Sequence, residues 1–237
     1  MTSSVVDTKH SRMSTPIIAF IGCDGSGKST LSAEITAFLN TKRKTSLVYL
    51  GLGSGDLGRR IQKWPVIGKT LERILSRKAK KIRTPGERVP GFFTALVVFM
   101  FSYKRFCAFQ KVLKARSKNI QVVTDRYPQV ELAGCCDGPG LSVAATNNPL
   151  IKWLAHIEQH LYKKMVSVHP TVIFFLDVDL QTAISRKSDH NPDLLAEKIE
   201  KTRSLSFDGA RIEKIDARKD YAIVKDNIIK AIEKYIT

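Results

Sequence analysis

Residues 22–30 read GCDGSGKST. Gly22 to Ser29 fills every fixed position of the pattern G-x-x-x-x-G-K-[ST]. That pattern works only when a buried strand runs into it and a helix runs out of it. Both flanks are present. PIIAFIG (16–22) is a short apolar run ending in Gly, and residues 28–40 space Leu31, Ile35 and Leu39 four apart. Gly25 and Gly27 let the backbone turn so that N–H groups point inward, and the helix N-terminus adds positive potential for an anion. Lys28 is placed to reach terminal phosphates and Ser29 to ligate Mg²⁺. Asp24 is out of character, a carboxylate among groups that attract phosphate.

The rest of the chain repeats the same alternation. SLVYL (46–50), IQVVT (120–124), TVIFFLDV (171–178) and RIEKI (211–215) read as strands. Helices are expected over 91–116, from the Asn148–Pro149 cap to about Val166, over 180–187, about 192–206 and about 219–236. Apolar strands alternating with helices imply an α/β fold, a parallel sheet covered on both faces, with ligands at the carboxyl ends of the strands. A chain of 237 residues makes one domain of 16–237 after a flexible tail, 1–15. GFFTALVVFMFSYKRFCAFQKVLKAR (91–116) is apolar on nearly all sides at its start, the pattern of a helix buried in a core. Its apolar run 92–101 is shorter than the about 20 residues a bilayer span needs. No secretory signal is evident.

Thirty-nine Lys and Arg against 22 Asp and Glu give +17, which favours anionic partners. The four cysteines (Cys23, Cys107, Cys135, Cys136) form no CxxC pair or metal spacing, so they read as thiols of a reducing, cytoplasmic compartment. His156 and His160 lie one helical turn apart without the acidic companion of a zinc motif and read as a solvated face.

A second signal follows the third strand, in VVTDRYP. Asp125 at a strand end can organise Mg²⁺ or orient a nucleophile, and Arg126 can fork onto a phosphate. With these two motifs the sequence resembles the thymidylate kinase branch of the P-loop nucleoside monophosphate kinases. YKRFCAFQKVLKARSKNIQVVTDRY resembles that family's long helix leading to its Asp-Arg strand. GPGL (138–141) resembles its Gly-Leu turn, and FFLDVDLQTAISRK resembles its fourth strand and the start of its lid. The likeness covers about residues 16–50 and 91–237. It implies a P-loop NTPase fold, a five-stranded parallel sheet with helices on both faces and a small lid over about 186–203. The implied activity is transfer of the ATP γ-phosphoryl group to a nucleoside monophosphate, dTMP first. The cofactors implied are ATP and Mg²⁺.

The resemblance assigns Gly22, Asp24, Gly25, Ser26, Gly27, Lys28, Ser29 and Thr30 to the donor nucleotide, and Ser29 and Asp125 to the metal. Asp24, Arg105 and Arg126 fall to the acceptor, with Lys28, Asp125, Arg126 and Arg186 acting on the transferring group and Arg203 as a further lid candidate. Asp24 would then face the acceptor, where a carboxylate accepts hydrogen bonds from hydroxyls or ordered water. An exposed loop carboxylate of no consequence is the other reading.

The likeness fails on the acceptor side. Where thymidylate kinases carry Arg-Glu-Pro-Gly-Gly, this chain reads YLGLGSGDLGRR, and PQVELAGCCD follows the Asp-Arg pair in place of a polar stretch that grips thymidine. RILSRKAKKIRTPGER (73–88) is a dense basic run that permits a larger anionic acceptor, or peripheral docking to an anionic membrane or assembly. No recognition motif or aromatic platform supports specific nucleic-acid binding, and a homodimer stays open. Two alternatives stand beside the nucleotide kinase: a P-loop kinase acting on a nucleoside or sugar-containing metabolite, and a non-catalytic nucleotide-binding scaffold docked to anionic surfaces.

Overall fold

The computed structural model describes residues 15–51, 91–142, 146–187 and 191–236. Most of the expected tail, the loop after Gly51 and the basic run 73–88 lie outside the described residues. The elements in chain order are β1 (Ile17–Ile21), α1 (Lys28–Lys42), β2 (Thr45–Tyr49), α2 (Phe92–Ser117), β3 (Gln121–Asp125), α3 (Pro149–Val166), β4 (Val172–Asp177), α4 (Leu180–Arg186), α5 (Pro192–Arg203), β5 (Ile212–Asp216) and α6 (Tyr221–Ile236).

The strands form one parallel sheet in the order β2-β3-β1-β4-β5. All five residues of β1 are buried, because strands in the middle of such a sheet are covered on both faces. Their side chains alternate between two cores. Ile18 and Phe20 join Leu31, Ile35 and Leu39 of α1 and Val224, Ile228 and Ile232 of α6. Ile17, Ala19 and Ile21 join Phe109 and Val112 of α2 and Tyr162 and Met165 of α3. The Phe20 and Phe174 rings pack at 5.5 Å between centroids, and truncating either to Ala would cost about 3–5 kcal/mol. This is the α/β, P-loop type of fold with helices on both faces.

Helix boundaries follow local chemistry. Asn148 caps α3 by accepting the Leu150 N–H at 2.9 Å, with Pro149 in the first turn. Asn191 does the same for α5, ahead of Pro192. That helix ends at Arg203 rather than about 206, because the chain then turns through left-handed Phe207, Asp208 and Gly209.

One expectation is corrected. The first half of α2 is not buried in a core. Thr94, Ala95 and Ser102 face inward, but Phe93, Met100 and Tyr103 are exposed. Only one side of this helix packs on α3 and the sheet, and among the described residues no element covers the other.

Candidate functional site

The phosphate loop runs from the end of β1 to the start of α1. Its backbone takes positive φ at Gly22, Gly25 and Gly27. Gly25, at φ +83°, approaches α4 so closely that a Cβ would stand 2.7 Å from the Ala183 carbonyl oxygen; only glycine fits there. Gly27 occupies the N-cap of α1 and no side chain accepts from the leading amides of the helix, so the N–H groups there are presented to the loop. Lys28 is only 5% exposed. Its Nζ donates to the Cys23 carbonyl oxygen at 2.5 Å and to Ser26 Oγ at 3.3 Å. Burial, helped by the charge of Arg126, pushes its ammonium down to about 8 against the pull of Asp24 and Asp125. Thr30 follows at the exposed start of the helix.

The sheet register brings the second motif to this loop. Phe20 pairs with Asp125, so the Asp125 carboxylate reaches the start of α1. Ser29 Oγ donates to Asp125 Oδ2 at 2.6 Å, while Asp125 Oδ1 is buried and has no hydrogen-bond partner among the described residues. A hydroxyl beside a carboxylate with one unsatisfied oxygen is a fitting donor set for a hard divalent cation such as Mg²⁺.

Arg126, the next residue, is left-handed at φ 75°, rare for a residue with a side chain. The turn aims its guanidinium between two carboxylates. Nη2 donates to Asp24 Oδ1 at 3.1 Å and Nη1 to Asp137 Oδ2 at 3.3 Å. Asp137 Oδ1 accepts from Arg105 Nη2 at 2.6 Å, and Asp24 Oδ2 accepts from Lys198 Nζ at 2.6 Å. The result is a ladder of alternating charge, Arg105–Asp137–Arg126–Asp24–Lys198. Burial alone would push both carboxyls up. Lys198, Lys28 and Arg126 outweigh it at Asp24, and Arg105 and Arg126 outweigh it at Asp137, so both lie below the usual carboxylate range. Burial likewise opposes the Arg126 charge, but Asp137 and Asp24 hold the guanidinium above its usual value. A cleft beside the phosphate loop is lined by Gly22, Arg126, Asp137, Lys198 and Thr202.

The structure thus brings Asp24, Lys28, Ser29, Asp125 and Arg126 together. Arg105 stands behind them, 1% exposed, donating from Nη1 to Tyr162 Oη at 2.8 Å and to the Asp137 carbonyl at 2.5 Å. Arg186 is exposed at the end of α4, and among the described residues no hydrogen bond or ion pair engages its side chain. Arg203 is held at the end of β4 by Asp177 Oδ1 at 2.9 Å and by Glu200 at 2.7 Å.

Sequence reasoning missed Asp137 and Lys198. Lys198 carried a signal: it lies between Leu195, Ile199 and Thr202, on the stripe that α5 buries, where an unpaired lysine is costly. Asp137 sits in a turn with no local sign of its role. Glu158 was also missed. It is fully buried on α3 and accepts from Ser102 Oγ at 2.5 Å, Gly140 N at 3.0 Å and Leu141 N at 2.7 Å, fixing the turn behind Asp137.

No family model matches the sequence. Two proteins of Escherichia coli K12 do. The chain is 36% identical over 217 residues to the protein named uncharacterized ATP-binding protein YghR, covering 91% of this chain and 86% of YghR. It is 42% identical over 208 residues to uncharacterized ATP-binding protein YghS, covering 86% of this chain and 88% of YghS. Among solved structures, deoxyadenosine kinase from M. mycoides with dCMP and dCDP bound is 19% identical, with a TM-score of 0.49 over 92% of this chain and 99% of that one. At that identity and coverage with the two E. coli proteins, the chain belongs to the family of YghR and YghS.

Proposed function

We propose that this chain is an ATP-dependent phosphotransferase that moves the γ-phosphoryl group to a nucleoside monophosphate. The single observation that carries the reading is the Ser29–Asp125 contact at 2.6 Å, with Asp125 Oδ1 unsatisfied, beside buried Lys28. The names of YghR and YghS as ATP-binding proteins support the donor. The loop amides and Lys28 bind the donor phosphates. Ser29 and Asp125 would hold Mg²⁺, which neutralises charge on the transferring group. Arg126 and Lys198 offer cations to the acceptor phosphate, which is already ionised and needs no base. An acceptor oxygen forms the new bond to the γ-phosphorus while the bond to the β-phosphate oxygen breaks and ADP leaves. Positioning and charge stabilisation carry the catalysis. The resemblance to thymidylate kinases makes dTMP the first acceptor to try.

A hydroxyl acceptor, on a nucleoside or a sugar-containing metabolite, is the second reading. Asp125 Oδ1 favours it, since a hydroxyl needs a base and this oxygen has no partner among the described residues. Incubating the protein with ATP, Mg²⁺ and separate panels of nucleoside monophosphates, nucleosides and sugars, against a Lys28→Ala control, distinguishes the two. ADP release with a monophosphate supports the first reading. Release with a nucleoside or sugar alone replaces it by the second. No release above the control with any acceptor removes both and leaves a nucleotide-binding scaffold.

A further inference from the structure

We infer that the exposed face of α2, together with the start of α3, docks the protein onto an anionic lipid surface. The two helices run side by side in the same direction. Ala95 meets Ile151 and Leu154 in one cluster, Ser102 bonds Glu158, and Arg105 bonds Tyr162. Their N-terminal ends therefore lie at one end of the molecule. That end is apolar, and no element among the described residues covers it: Phe93 is 81% exposed, Met100 61%, Leu150 56% and Trp153 60%. Soluble surfaces rarely gather large apolar side chains in this way without a partner.

Charge identifies the partner. Phe93 and Met100 continue, on the same side of α2, into exposed Lys104, Lys111, Lys114 and Lys118, the last just past the helix end. No acidic residue occurs anywhere in Phe92–Ser117. Apolar side chains at one end and a lysine row along the rest match a bilayer interface, where the former enter the acyl boundary and the latter meet anionic headgroups. Exposed Trp153 is also suited to the headgroup level. A second copy fits less well. Parallel to this face it sets lysines against lysines, and antiparallel it sets them against apolar side chains.

The helix is long and apolar enough to cross a bilayer by length and composition. Its inward side, however, is committed to protein. Ser102, Arg105, Phe109 and Val112 are buried against α3, Asp137 and the second core, so α2 lies on the surface and does not span it. Arg105 stands level with the ladder, and the exposed apolar residues continue about 18 Å beyond it along the helix. Docking would hold the acceptor side of the site close to the membrane. The inference stands apart from the choice of acceptor, because its readout is binding.

The test is co-sedimentation of the full chain with phosphatidylcholine vesicles, with and without phosphatidylglycerol. The expected result is binding to the anionic vesicles only, with a blue shift of fluorescence that Trp153→Phe removes. Phe93→Glu with Met100→Glu should abolish binding, and Lys104→Glu with Lys111→Glu and Lys114→Glu should weaken it at least about tenfold. All these positions are exposed, so each variant should keep the thermal midpoint of the parent. Failure to bind anionic vesicles, or variants that sediment like the parent, overturns the inference. So does a dimer in the ultracentrifuge that Phe93→Glu with Met100→Glu dissolves while vesicles bind nothing.

Discussion

Lys198 and Asp24 meet at 2.6 Å, Nζ to Oδ2, across 174 positions of sequence. The contact ties α5 to the middle of the phosphate loop, and it resolves the oddity of an acidic side chain there. Asp24 is clamped between Lys198 and Arg126, so it neutralises cations that would otherwise crowd one another. Under the proposed function, a phosphate arriving at Arg126 or Lys198 would compete with that carboxylate, and Asp24 would then select among anions as well as tie the structure.

Lys198→Ala should destabilise the protein by about 1–2 kcal/mol, between the values for exposed and fully buried pairs. The effect has a defined pH window. The Asp24 carboxyl is depressed in the folded state, so its contribution is fully present above the ordinary value of 3.8 and is lost progressively as pH falls from there through the lower folded-state value. Urea unfolding of parent and variant should therefore differ most near neutral pH and converge in acid. A gap that persists unchanged at pH 2 would refute the role given to the pair.

Asp137→Ala should be more damaging. It strips the Arg105 guanidinium, wholly buried in its side chain, of its carboxylate. Leaving such a charge uncompensated costs about 3–5 kcal/mol. Adding Arg105→Met should recover much of that loss, since the orphaned charge leaves with it. A double-mutant cycle by chemical denaturation measures the coupling, and additive losses would show that the two residues do not act as a unit.

How far the sequence carried can be traced to the range of each interaction. The phosphate loop was legible because its chemistry is local: Gly25, Gly27, Lys28 and Ser29 act through backbone geometry within a few residues. The inner strands were legible because burial on both faces writes them as continuous apolar runs, as in Val172–Asp177. The ladder was not, because Asp24, Arg126, Asp137 and Lys198 are joined only by the folded chain. The first half of α2 misled for another reason. A helix apolar all round scores alike whether protein or some other partner covers it, and only exposure of Phe93 and Met100 separates the cases.

Asp125→Asn keeps the shape of the side chain and an oxygen to accept the Ser29 hydroxyl, but removes the negative charge a divalent cation needs. Turnover should fall by about 10²–10³, in the range for losing one preorganised electrostatic group. The thermal midpoint without nucleotide should change little. Added Mg²⁺ should no longer strengthen nucleotide binding, which titration calorimetry with and without the metal would report. Full metal dependence retained by the variant would place the cation elsewhere.

Lys28 should make nucleotide binding depend on pH in the alkaline range. Its ammonium is pushed down to about 8 by burial in the unliganded protein. A triphosphate beside it favours the charged form and so raises that value. The sign follows: below about 8 the lysine is already protonated and affinity is at its plateau, whereas above it binding must take up a proton and weakens. The slope should approach about tenfold per pH unit until the value of the bound state is reached. With saturating Mg²⁺ the terminal phosphate of ATP is ionised over this interval, so its own titration does not mimic the effect. Calorimetry at pH 7 and pH 9, in buffers of different ionisation enthalpy, should show proton uptake only at the higher pH. In Lys28→Ala, affinity should be low throughout and free of that uptake. Equal affinity for the parent at both pH values, with no proton uptake, would refute the coupling of the Lys28 charge to nucleotide binding.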